Sequence, residues 1–475
     1  MEEFDFAVIG GGTAGSAAAL QVASAGYSVA VIEATAIGGD AVWFSDLPSE
    51  AVFYASRAFV KAKSQVAMGL NSATLSLNYP VMQKWKNGLR RTIASAVSND
   101  YKHAGIEIIK GFGTFIDSHV LKIGSRQIFA KKILIATGSE ISLPDIQGVD
   151  KTPFLTPSDV LNLPKLPKSV LIVGGGATGT ELAGYMASLG SKVTIAELGP
   201  NLLPREDDEV GTFFKNYFTR RLNIRLLLGT RVEAIANDKI SSKAMLLTGG
   251  NETTERFEAI VLATGRSSNI SVLNLKAAGI HFDDNGIAVT PTLQTNRKHI
   301  FAAGDCISPE NDGFAPQNSA TGYCVRSDSS PQKAVLQGQI AASNAFPKTS
   351  PNGRKKTSAN YTGLPRITRT PPMIATVGMT ENEAIRQDVP IKKAVILLNQ
   401  SSAFAIDGAE GFIKIITDRG KKLLGACIVA PHADQLMTPI SLALQNDLPL
   451  ASLASLQTSF LNYSDLIPNI TSKLL

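Results

Sequence analysis

Two stretches of the chain share one pattern of apolar residues around a glycine-rich turn. Residues 5–10, DFAVIG, predict a short buried strand. The alanine-rich stretch SAAALQVASAG after the turn has the 3.6-residue period of a helix, and SVAVIEA predicts a second strand. The same order returns at residues 168–197, where Gly174 follows Gly10 by 164 residues. The pattern therefore predicts two β-α-β nucleotide-binding units.

The remaining segments are predicted from the same periodicities. Residues 50–104 favour helices, residues 105–138 favour strands, and a second strand-rich stretch ends in IVLATG at residues 260–265. The stretch 270–345 closes with IFAAGDC and a helix. Residues 347–360 are polar, basic and turn-rich, which predicts a linker before a C-terminal module of strands and helices.

Composition narrows the class of protein. The chain has 475 residues, of which 44% are hydrophobic and 18% charged, and this favours a folded globular protein over a disordered one. Three cysteines are too few for a disulfide framework, so a reducing, cytoplasmic location is the simpler interpretation. The acidic N-terminus lacks the features of a signal peptide, and no apolar run is long enough to predict a membrane span.

Charge and histidine spacing add weaker indications. The net charge of +6 suits anionic ligands, but there is no nucleic-acid-binding motif, and we expect no nucleic-acid partner. The five histidines have no spacing typical of metal ligands, so no metal site is predicted.

The first glycine turn has the spacing of a dinucleotide-binding fingerprint. Gly10 would permit the tight turn, Gly12 the approach of a pyrophosphate and Gly15 the close packing of helix on strand. Glu33 ends the second strand 18 residues after Gly15, where a carboxylate can accept hydrogen bonds from a ribose. The alternative is a glycine turn that binds no ligand.

The second turn repeats this arrangement with Gly174, Gly176, Gly179 and Glu197. A carboxylate at this strand end would repel a 2′-phosphate, and Arg205 is the nearest cation, eight residues further on. The pattern favours NADH over NADPH. The alternative is that Glu197 is only a solvated strand end.

Five further motifs occur in the order seen in one known family. They are the ATG stretches at 136–138 and 263–265, IFAAGDC at 300–306, and the segments 361–383 and 411–438. With the two fingerprints, they make the chain resemble the pyridine nucleotide-disulfide oxidoreductases, the group of dihydrolipoamide dehydrogenase, glutathione reductase and mercuric reductase. The resemblance implies an α/β fold with two Rossmann-like nucleotide-binding domains, for FAD and NAD, and a C-terminal α+β dimerisation domain.

The resemblance also implies domain boundaries and a homodimer. The first part of the FAD-binding domain would span residues 1–155, the NAD(P)-binding domain 156–268, the second, central part of the FAD-binding domain 269–346, and the dimerisation domain 347–475.

Individual residues take roles by the same resemblance. Asp305 would bond to the ribityl chain of the flavin, and Glu181 matches the glutamate on the helix that brings the nicotinamide to the flavin. The alternative for Glu181 is an ordinary helix-surface charge. The implied FAD site comprises Gly10, Gly12, Gly15, Glu33, Gly39, Gly113, Thr137, Gly138 and Asp305. The implied NAD site comprises Gly174, Gly176, Gly179, Glu181, Glu197 and Gly265.

The chain departs from the family where the family carries its redox chemistry. In GGDAVWFSDLPSE, residues 38–50, Ala41 and Asp46 stand at the positions of the cysteine pair, and Glu50 stands at the lysine that would pair with Glu181. That pairing is expected to become repulsive. Phe460 and Asp465 replace the histidine and glutamate of the C-terminal acid-base motif. The disulfide-reductase activity is therefore expected to be lost.

The remaining cysteines are poor substitutes. Cys306 follows the ribityl-binding aspartate and is expected to point into packing, and Cys427 lies in an apolar strand. Cys324, in the segment 307–330 that is longer than usual in the family, is the one candidate for a reactive thiol, although free cysteines are most often buried.

Three functions remain open. The first is an FAD-dependent NAD(P)H oxidoreductase that passes electrons from NADH directly to a small acceptor such as a quinone, another redox-active molecule or oxygen. Residues 41–44 and Phe460 of the partner would offer an apolar surface, unless they only fill space. The second is a catalytically degenerate FAD/NAD-binding protein with a structural or sensing role. The third is a catalyst that uses Asp46 or Glu50 as a general base.

Overall fold

The computed structural model describes residues 1–65, 69, 75–238, 241–308, 330–350 and 356–475. The α-helices of this part of the chain are α1 (Thr13–Ser24), α2 (Gly39–Trp43), α3 (Asp46–Ser64), α4 (Tyr79–His103), α5 (Pro157–Asn162), α6 (Ala177–Ser188), α7 (Asp208–Arg221), α8 (Pro331–Ala345), α9 (Glu381–Arg386), α10 (Phe404–Asp407), α11 (Ala433–Gln445), α12 (Leu450–Ala454) and α13 (Leu466–Ser472).

The strands are β1 (Glu2–Ile9), β2 (Val29–Glu33), β3 (Glu107–Lys110), β4 (Gly113–Phe115), β5 (Val120–Ile123), β6 (Arg126–Ile135), β7 (Ser139–Ile141), β8 (Ser169–Val173), β9 (Lys192–Glu197), β10 (Arg225–Leu228), β11 (Thr230–Asn237), β12 (Ser242–Thr248), β13 (Asn251–Phe257), β14 (Ala259–Leu262), β15 (Arg266–Ser268), β16 (Phe282–Asp283), β17 (Gly286–Ile287), β18 (Ile300–Ala302), β19 (Arg366–Thr368), β20 (Met373–Gly378), β21 (Ile391–Leu397), β22 (Phe412–Asp418) and β23 (Leu423–Ala430).

The first compact unit contains residues 1–49, 84–142 and 266–361. Its main sheet has the order β3-β2-β1-β6-β5-β4, with β18 also paired to β6. Strands β1, β2, β3, β6 and β18 are parallel, and β1 is buried from Phe6 to Ile9 because helices cover both faces of such a sheet. Helix α8 packs closely on α1, since a Cβ at Gly338 would lie 2.2 Å from the carbonyl oxygen of Ala14.

The second compact unit contains residues 50–83, 143–265 and 362–475. It holds a parallel sheet of order β10-β9-β8-β14, an antiparallel sheet β11-β12-β13 and an antiparallel sheet β19-β20-β23-β22-β21. Buried side chains of β8 and β9 share one core with Val52, Phe53 and Met82. This packing explains why residues 50–83 group with the second unit.

The predicted α/β fold, with its two β-α-β units and C-terminal α+β segment, is confirmed. The compact units group the chain differently from the four predicted domains, whose boundaries stay a prediction. No helix in the described ranges combines the length and apolarity needed to cross a lipid bilayer.

A buried lysine holds three carboxylates together in the second unit. Lys414 lies on β22 with its side chain 1% exposed. Its Nζ lies 3.0 Å from Asp207 Oδ2, 3.1 Å from Glu209 Oε2 and 2.6 Å from Glu381 Oε2. These acids stand at the start of α7 and of α9, so the ammonium group joins both helices to the sheet. The amine already fills the space among the three carboxylates.

The opposite charges in this cluster stabilise each other's ionised forms. Burial alone would lower the pKa of Lys414, but the hydrogen bond to Glu381 and the charge of Asp207 outweigh it and raise the pKa. Burial likewise opposes ionisation of Glu381, yet hydrogen bonds from Lys393 and Lys414 lower its pKa. Because the pKa of Glu381 is lower in the folded protein than in the unfolded chain, its carboxylate stabilises the fold at pH values above the unfolded pKa. That stabilisation is lost as the pH falls through the pKa of the folded protein.

We expect Lys414→Met to lower the free energy of unfolding by about 3–5 kcal/mol, because it leaves several carboxylates together without their buried cation. Thermal and urea unfolding measure this effect. Lys392→Met, an exposed lysine on β21, is the matched control and should stay within about 0.5 kcal/mol of wild type. The difference between wild type and Lys414→Met should shrink as pH falls below 4.5, the ordinary pKa of Glu381. A pH-independent difference would contradict the ionic explanation.

Candidate functional site: two dinucleotide turns

The first glycine turn is held by contacts that exclude a side chain. Gly10 has φ +105°, and a Cβ there would lie 2.3 Å from the carbonyl oxygen of Ala136. A Cβ at Gly15 would lie 2.0 Å from the carbonyl oxygen of Gly10. The start of α1 therefore rests directly on the end of β1, which agrees with the packing predicted from the spacing.

The second turn repeats this geometry in the other unit. Gly174 has φ +109°, and its Cβ would lie 2.5 Å from the carbonyl oxygen of Ala263. A Cβ at Gly179 would lie 1.9 Å from the carbonyl oxygen of Gly174. Each turn thus uses the alanine of one ATG stretch as its neighbour, and the two stretches have the same structural role.

The two strand-end glutamates also match. Glu33 Oε2 accepts a hydrogen bond from Gly11 N at 2.7 Å, and its Oε1 accepts from Thr35 N and Oγ1. Glu197 Oε2 accepts from Gly175 N at 2.6 Å, and its Oε1 accepts from Gly199 N at 2.7 Å. Each carboxylate therefore braces its turn. A carboxylate offers about four lone-pair sites, so each glutamate keeps capacity for a ribose hydroxyl.

Both turns end at a helix start suited to a phosphate. Gly12 caps α1 and Gly176 caps α6. In the described part of the chain, neither helix start receives a side-chain capping bond, and neither carries an acid in its first turn. The N–H groups of such a turn attract an anion. The third glycines, Gly15 and Gly179, keep each helix close to its strand. Each helix start therefore has the same geometry relative to its own strand.

The first unit also offers features that fit FAD. The predicted FAD-binding residues, listed above, all belong to this unit. Gly39 approaches the turn so closely that a Cβ there would lie 2.6 Å from Gly12 Cα. Thr137 Oγ1 is buried and has no hydrogen-bond partner among the described residues, so a polar ligand can satisfy this hydroxyl. The residues of this unit therefore fit FAD.

Asp305 is positioned by a polar network within the first unit. Ser139 Oγ donates to Asp305 Oδ2 at 2.9 Å, and Arg266 Nε donates to Ser139 Oγ at 2.8 Å. Arg266 also lies 3.4 Å from Asp40 Oδ2. Pairing of β7 with β15 sets this register, and Ser268 Oγ donates to the carbonyl oxygen of Asp305 at 3.0 Å. The Asp305 carboxylate is consequently held by the strands next to the ATG stretches.

The segment at the family's cysteine positions forms two helices. Ala41 lies in α2, and Asp46 begins α3, where it accepts a hydrogen bond from Ser45 Oγ at 2.9 Å. Of the predicted apolar surface, Val42 is buried and Phe44 is 41% exposed. Trp43 Nε1 donates to the carbonyl oxygen of Ile37, and the guanidinium of Arg90 lies 5.2 Å above its ring. The available surface is therefore smaller than predicted.

The expected repulsion between Glu50 and Glu181 does not describe the structure, because an arginine interacts with both. Arg369 Nε lies 3.0 Å from Glu50 Oε2, and Arg369 N donates to Glu181 Oε1 at 2.6 Å. Arg57 Nη2 lies 2.5 Å from Glu50 Oε1. Two guanidinium groups therefore border Glu50.

The described thiols are not placed for chemistry. Cys306 is fully buried, and burial raises its pKa to about 11. Cys427 is also buried, and burial raises its pKa. Both predictions of packing roles are confirmed. Cys324 lies outside the described residues, so its candidacy stays a prediction.

The C-terminal segment presents an aromatic ring to solvent. Phe460 is 84% exposed, and it follows α12 in the second unit. Beyond it, the chain is tied down by Asp465 Oδ2, which accepts from Ser401 Oγ at 3.0 Å, and by the hydroxyl of Tyr463, which donates to Asp407.

Sequence reasoning missed the arginines and the serine of these networks. Ser139 and Arg266 each directly follow an ATG stretch, so their equivalent positions were a usable signal. Nothing local marks Arg369, since it pairs with Glu50 from more than 300 residues away.

Comparison with known proteins agrees with this geometry. The family model described as pyridine nucleotide-disulphide oxidoreductase matches residues 4–338, and the model of its dimerisation domain matches residues 364–460. The chain belongs to the pyridine nucleotide-disulphide oxidoreductase family. Members of this family are FAD-dependent and use a pyridine nucleotide.

Relatives within the pyridine nucleotide-disulphide oxidoreductases cover nearly the whole chain. Mercuric reductase from Bacillus cereus is 28% identical over 98% of this chain and 70% of its own length. Dihydrolipoyl dehydrogenase from Chlamydia trachomatis is 30% identical over 94% of this chain and 92% of its own. The structure of LpdA from Mycobacterium tuberculosis matches with a TM-score of 0.85 at 23% identity over 100% of both chains, which supports the fold.

We expect Gly176→Ala to fold but to weaken binding of the pyridine nucleotide at least tenfold, or about 1.4 kcal/mol. Gly176 has φ −72°, and its Cβ would meet no atom of the described residues within 4 Å, so the added methyl group should be tolerated by the fold but should obstruct an arriving pyrophosphate. Titration with NADH and a melting curve measure both effects, with FAD retention as an internal control. Gly179→Ala, whose Cβ would collide with Gly174, should instead lower stability by about 1–3 kcal/mol. Unchanged NADH affinity in Gly176→Ala would remove this turn from the nucleotide site.

Proposed function

We propose that this protein is an FAD-dependent NADH oxidoreductase that passes electrons directly to a small acceptor other than a disulfide. The acceptor would be a quinone, another redox-active organic molecule or oxygen. The observation that carries the proposal is the pairing of two complete dinucleotide turns with a segment 38–50 that has no cysteine. The balanced reaction for a quinone consumes NADH and a proton and yields NAD⁺ and a hydroquinone.

The proposed FAD site is the first glycine turn with Glu33, Thr137 and Asp305. The helix start at Gly12 would receive the pyrophosphate, Glu33 a ribose, and Asp305 the ribityl hydroxyls. FAD, when bound, supplies the transfer of electrons between NADH and the acceptor. The chain's own contribution is to hold and orient the two ligands.

The proposed nicotinamide nucleotide is NADH. Glu197 would face the adenosine ribose from the end of β9, and its negative charge disfavours a 2′-phosphate. Glu181 would lie on the helix that presents the nicotinamide, with Arg369 N fixing its carboxylate.

Loss of disulfide chemistry is part of the proposal. Ala41 and Asp46 cannot form a disulfide, and the described thiols of Cys306 and Cys427 are buried. Phe460 cannot transfer a proton as the family's histidine does. Mercuric reductase and dihydrolipoyl dehydrogenase activities are therefore not expected of this chain, although relatives carry those names.

The proposed assembly is a homodimer. The second unit contains the match to the family's dimerisation domain, and Phe460, at the end of that match, projects an exposed ring. In the proposed dimer, Phe460 of the partner subunit, together with the exposed side of Phe44, would offer aromatic surface to a flat acceptor.

Anaerobic addition of NADH should bleach the visible absorbance of the bound flavin, and a quinone or air should restore it. Oxidised lipoamide and Hg(II) should not restore it. Asp305→Ala should weaken FAD binding by roughly 1–3 kcal/mol, because a polar ribityl contact is left unmade. Stopped-flow absorbance and equilibrium FAD binding provide the measurements. A flavin that binds but never bleaches would overturn the proposal and favour a structural or sensing protein.

Glu197→Gln should raise the ratio of kcat/KM for NADPH to that for NADH by about tenfold, or about 1.4 kcal/mol. The amide keeps the size and one accepting oxygen of the side chain but loses the charge that repels a 2′-phosphate. Initial rates with each nucleotide measure the ratio. Glu33→Gln, the equivalent change in the first turn, is the matched control and should leave the ratio unaltered. A parallel change in both variants would contradict the assignment.

A further inference from the structure

We propose that Tyr101 is a positioning residue of the first glycine turn, which it holds through Ser16 in the conformation that retains FAD. The proposal rests on FAD binding at this turn, as proposed above. Tyr101 lies near the end of α4, and Ser16 lies in the first turn of α1. Both residues belong to the first compact unit, and neither is one of the residues that the glycine spacing singles out.

The hydroxyl group of Tyr101 is placed by burial of the whole side chain. Tyr101 is 0% exposed, and its hydroxyl oxygen lies 2.8 Å from Ser16 Oγ. A buried tyrosine hydroxyl requires a hydrogen-bond partner, and Ser16 supplies one. Burial raises the pKa of Tyr101 to about 12, so this hydroxyl keeps its proton at neutral pH.

The hydrogen bonds of the two hydroxyl groups have a defined direction. Ser16 Oγ donates to the carbonyl oxygen of Gly11 at 3.1 Å, which uses the single proton of the serine hydroxyl. The proton between the two side chains must therefore come from Tyr101. The resulting hydroxyl chain leads from Tyr101 to Ser16 and from Ser16 to the backbone of the turn.

This hydroxyl chain completes the hydrogen bonding of Gly11. Gly11 O also accepts from Gly38 N at 2.9 Å, and Gly11 N donates to Glu33 Oε2 at 2.7 Å. The carbonyl group of Gly11 and the N–H of Gly12 belong to one planar trans peptide group, so they point in opposite directions. The Gly12 N–H is therefore directed away from the donors that hold the carbonyl, as binding of a phosphate at the helix start requires.

The second glycine turn uses its equivalent hydroxyl group differently. Thr180 stands four residues after Gly176, as Ser16 stands four residues after Gly12. Thr180 Oγ1 donates to the carbonyl oxygen of Gly176 at 2.9 Å, within its own helix start. The hydroxyl chain thus distinguishes the first turn from the second. A more firmly held turn suits a cofactor that stays bound, whereas the second turn must release NAD⁺ after each reaction.

The test measures the rate at which FAD leaves the diluted holoprotein, by ultrafiltration at timed intervals. Tyr101→Phe removes only the hydroxyl group and should accelerate FAD release about fivefold. Tyr27→Phe, the same chemical change at a half-buried tyrosine of the first unit, is the matched control and should release FAD at the wild-type rate. The NADH affinity of the FAD-loaded protein should be unchanged in both variants.

A double-mutant comparison separates a positioning role from simple stabilisation of the fold. Ser16→Ala removes the middle of the hydroxyl chain and should accelerate FAD release at least as much as Tyr101→Phe does. The double variant should release FAD no faster than Ser16→Ala, because the Tyr101 hydroxyl acts only through the serine. Melting temperatures of the apoproteins are measured in parallel on every variant.

Release of FAD from Tyr101→Phe at the rate of Tyr27→Phe would overturn the proposal, even if the melting temperature of Tyr101→Phe is lower. An additive effect in the double variant would overturn it as well. If Tyr101→Phe does not fold, Ser16→Ala takes its place, and FAD release from it at the wild-type rate would then contradict the proposal. Wild-type protein that takes up no FAD would refute the proposed function itself, a separately visible outcome.

Discussion

The architecture of both sites depends on one steric constraint, the contact of a helix start with the end of its strand. A Cβ at Gly15 or Gly179 would lie within about 2 Å of the carbonyl oxygen of the first glycine in its turn. Only residues without a side chain permit this contact, and the contact aims the first N–H groups of α1 and α6 away from the strand. The bracing glutamates and the ATG alanines then complete each turn around the same backbone geometry.

These turns could be predicted from the sequence because glycine spacing encodes backbone conformation directly. The ion pairs could not, because they depend on side chains brought together from distant segments. Glu50 and Glu181 looked repulsive only while Arg369, more than 300 residues from Glu50, was unknown. In the same way, the polar network of Asp305 depends on pairing between β7 and β15. Local patterns carry no information on such pairings.

The segment at the family's redox positions is bordered by arginines in this structure. Glu50, which stands at a lysine position of the family, is bound by Arg57 and Arg369. In the first unit, the guanidinium of Arg90 lies over the ring of Trp43 as a cation–π contact. In the second unit, the cations at Glu50 come from α3 itself, through Arg57, and from the C-terminal segment, through Arg369. In the first unit, the cation at Trp43 is Arg90 of α4.

The burial of Cys306 and Cys427 bears on how the protein responds to oxidants and heavy metals. Thiol oxidation and heavy-metal capture need an accessible thiolate, and burial of both described sulfurs opposes ionisation and access together. The thiols of Cys306 and Cys427 should therefore escape alkylation, oxidation and mercurial binding for as long as the protein stays folded.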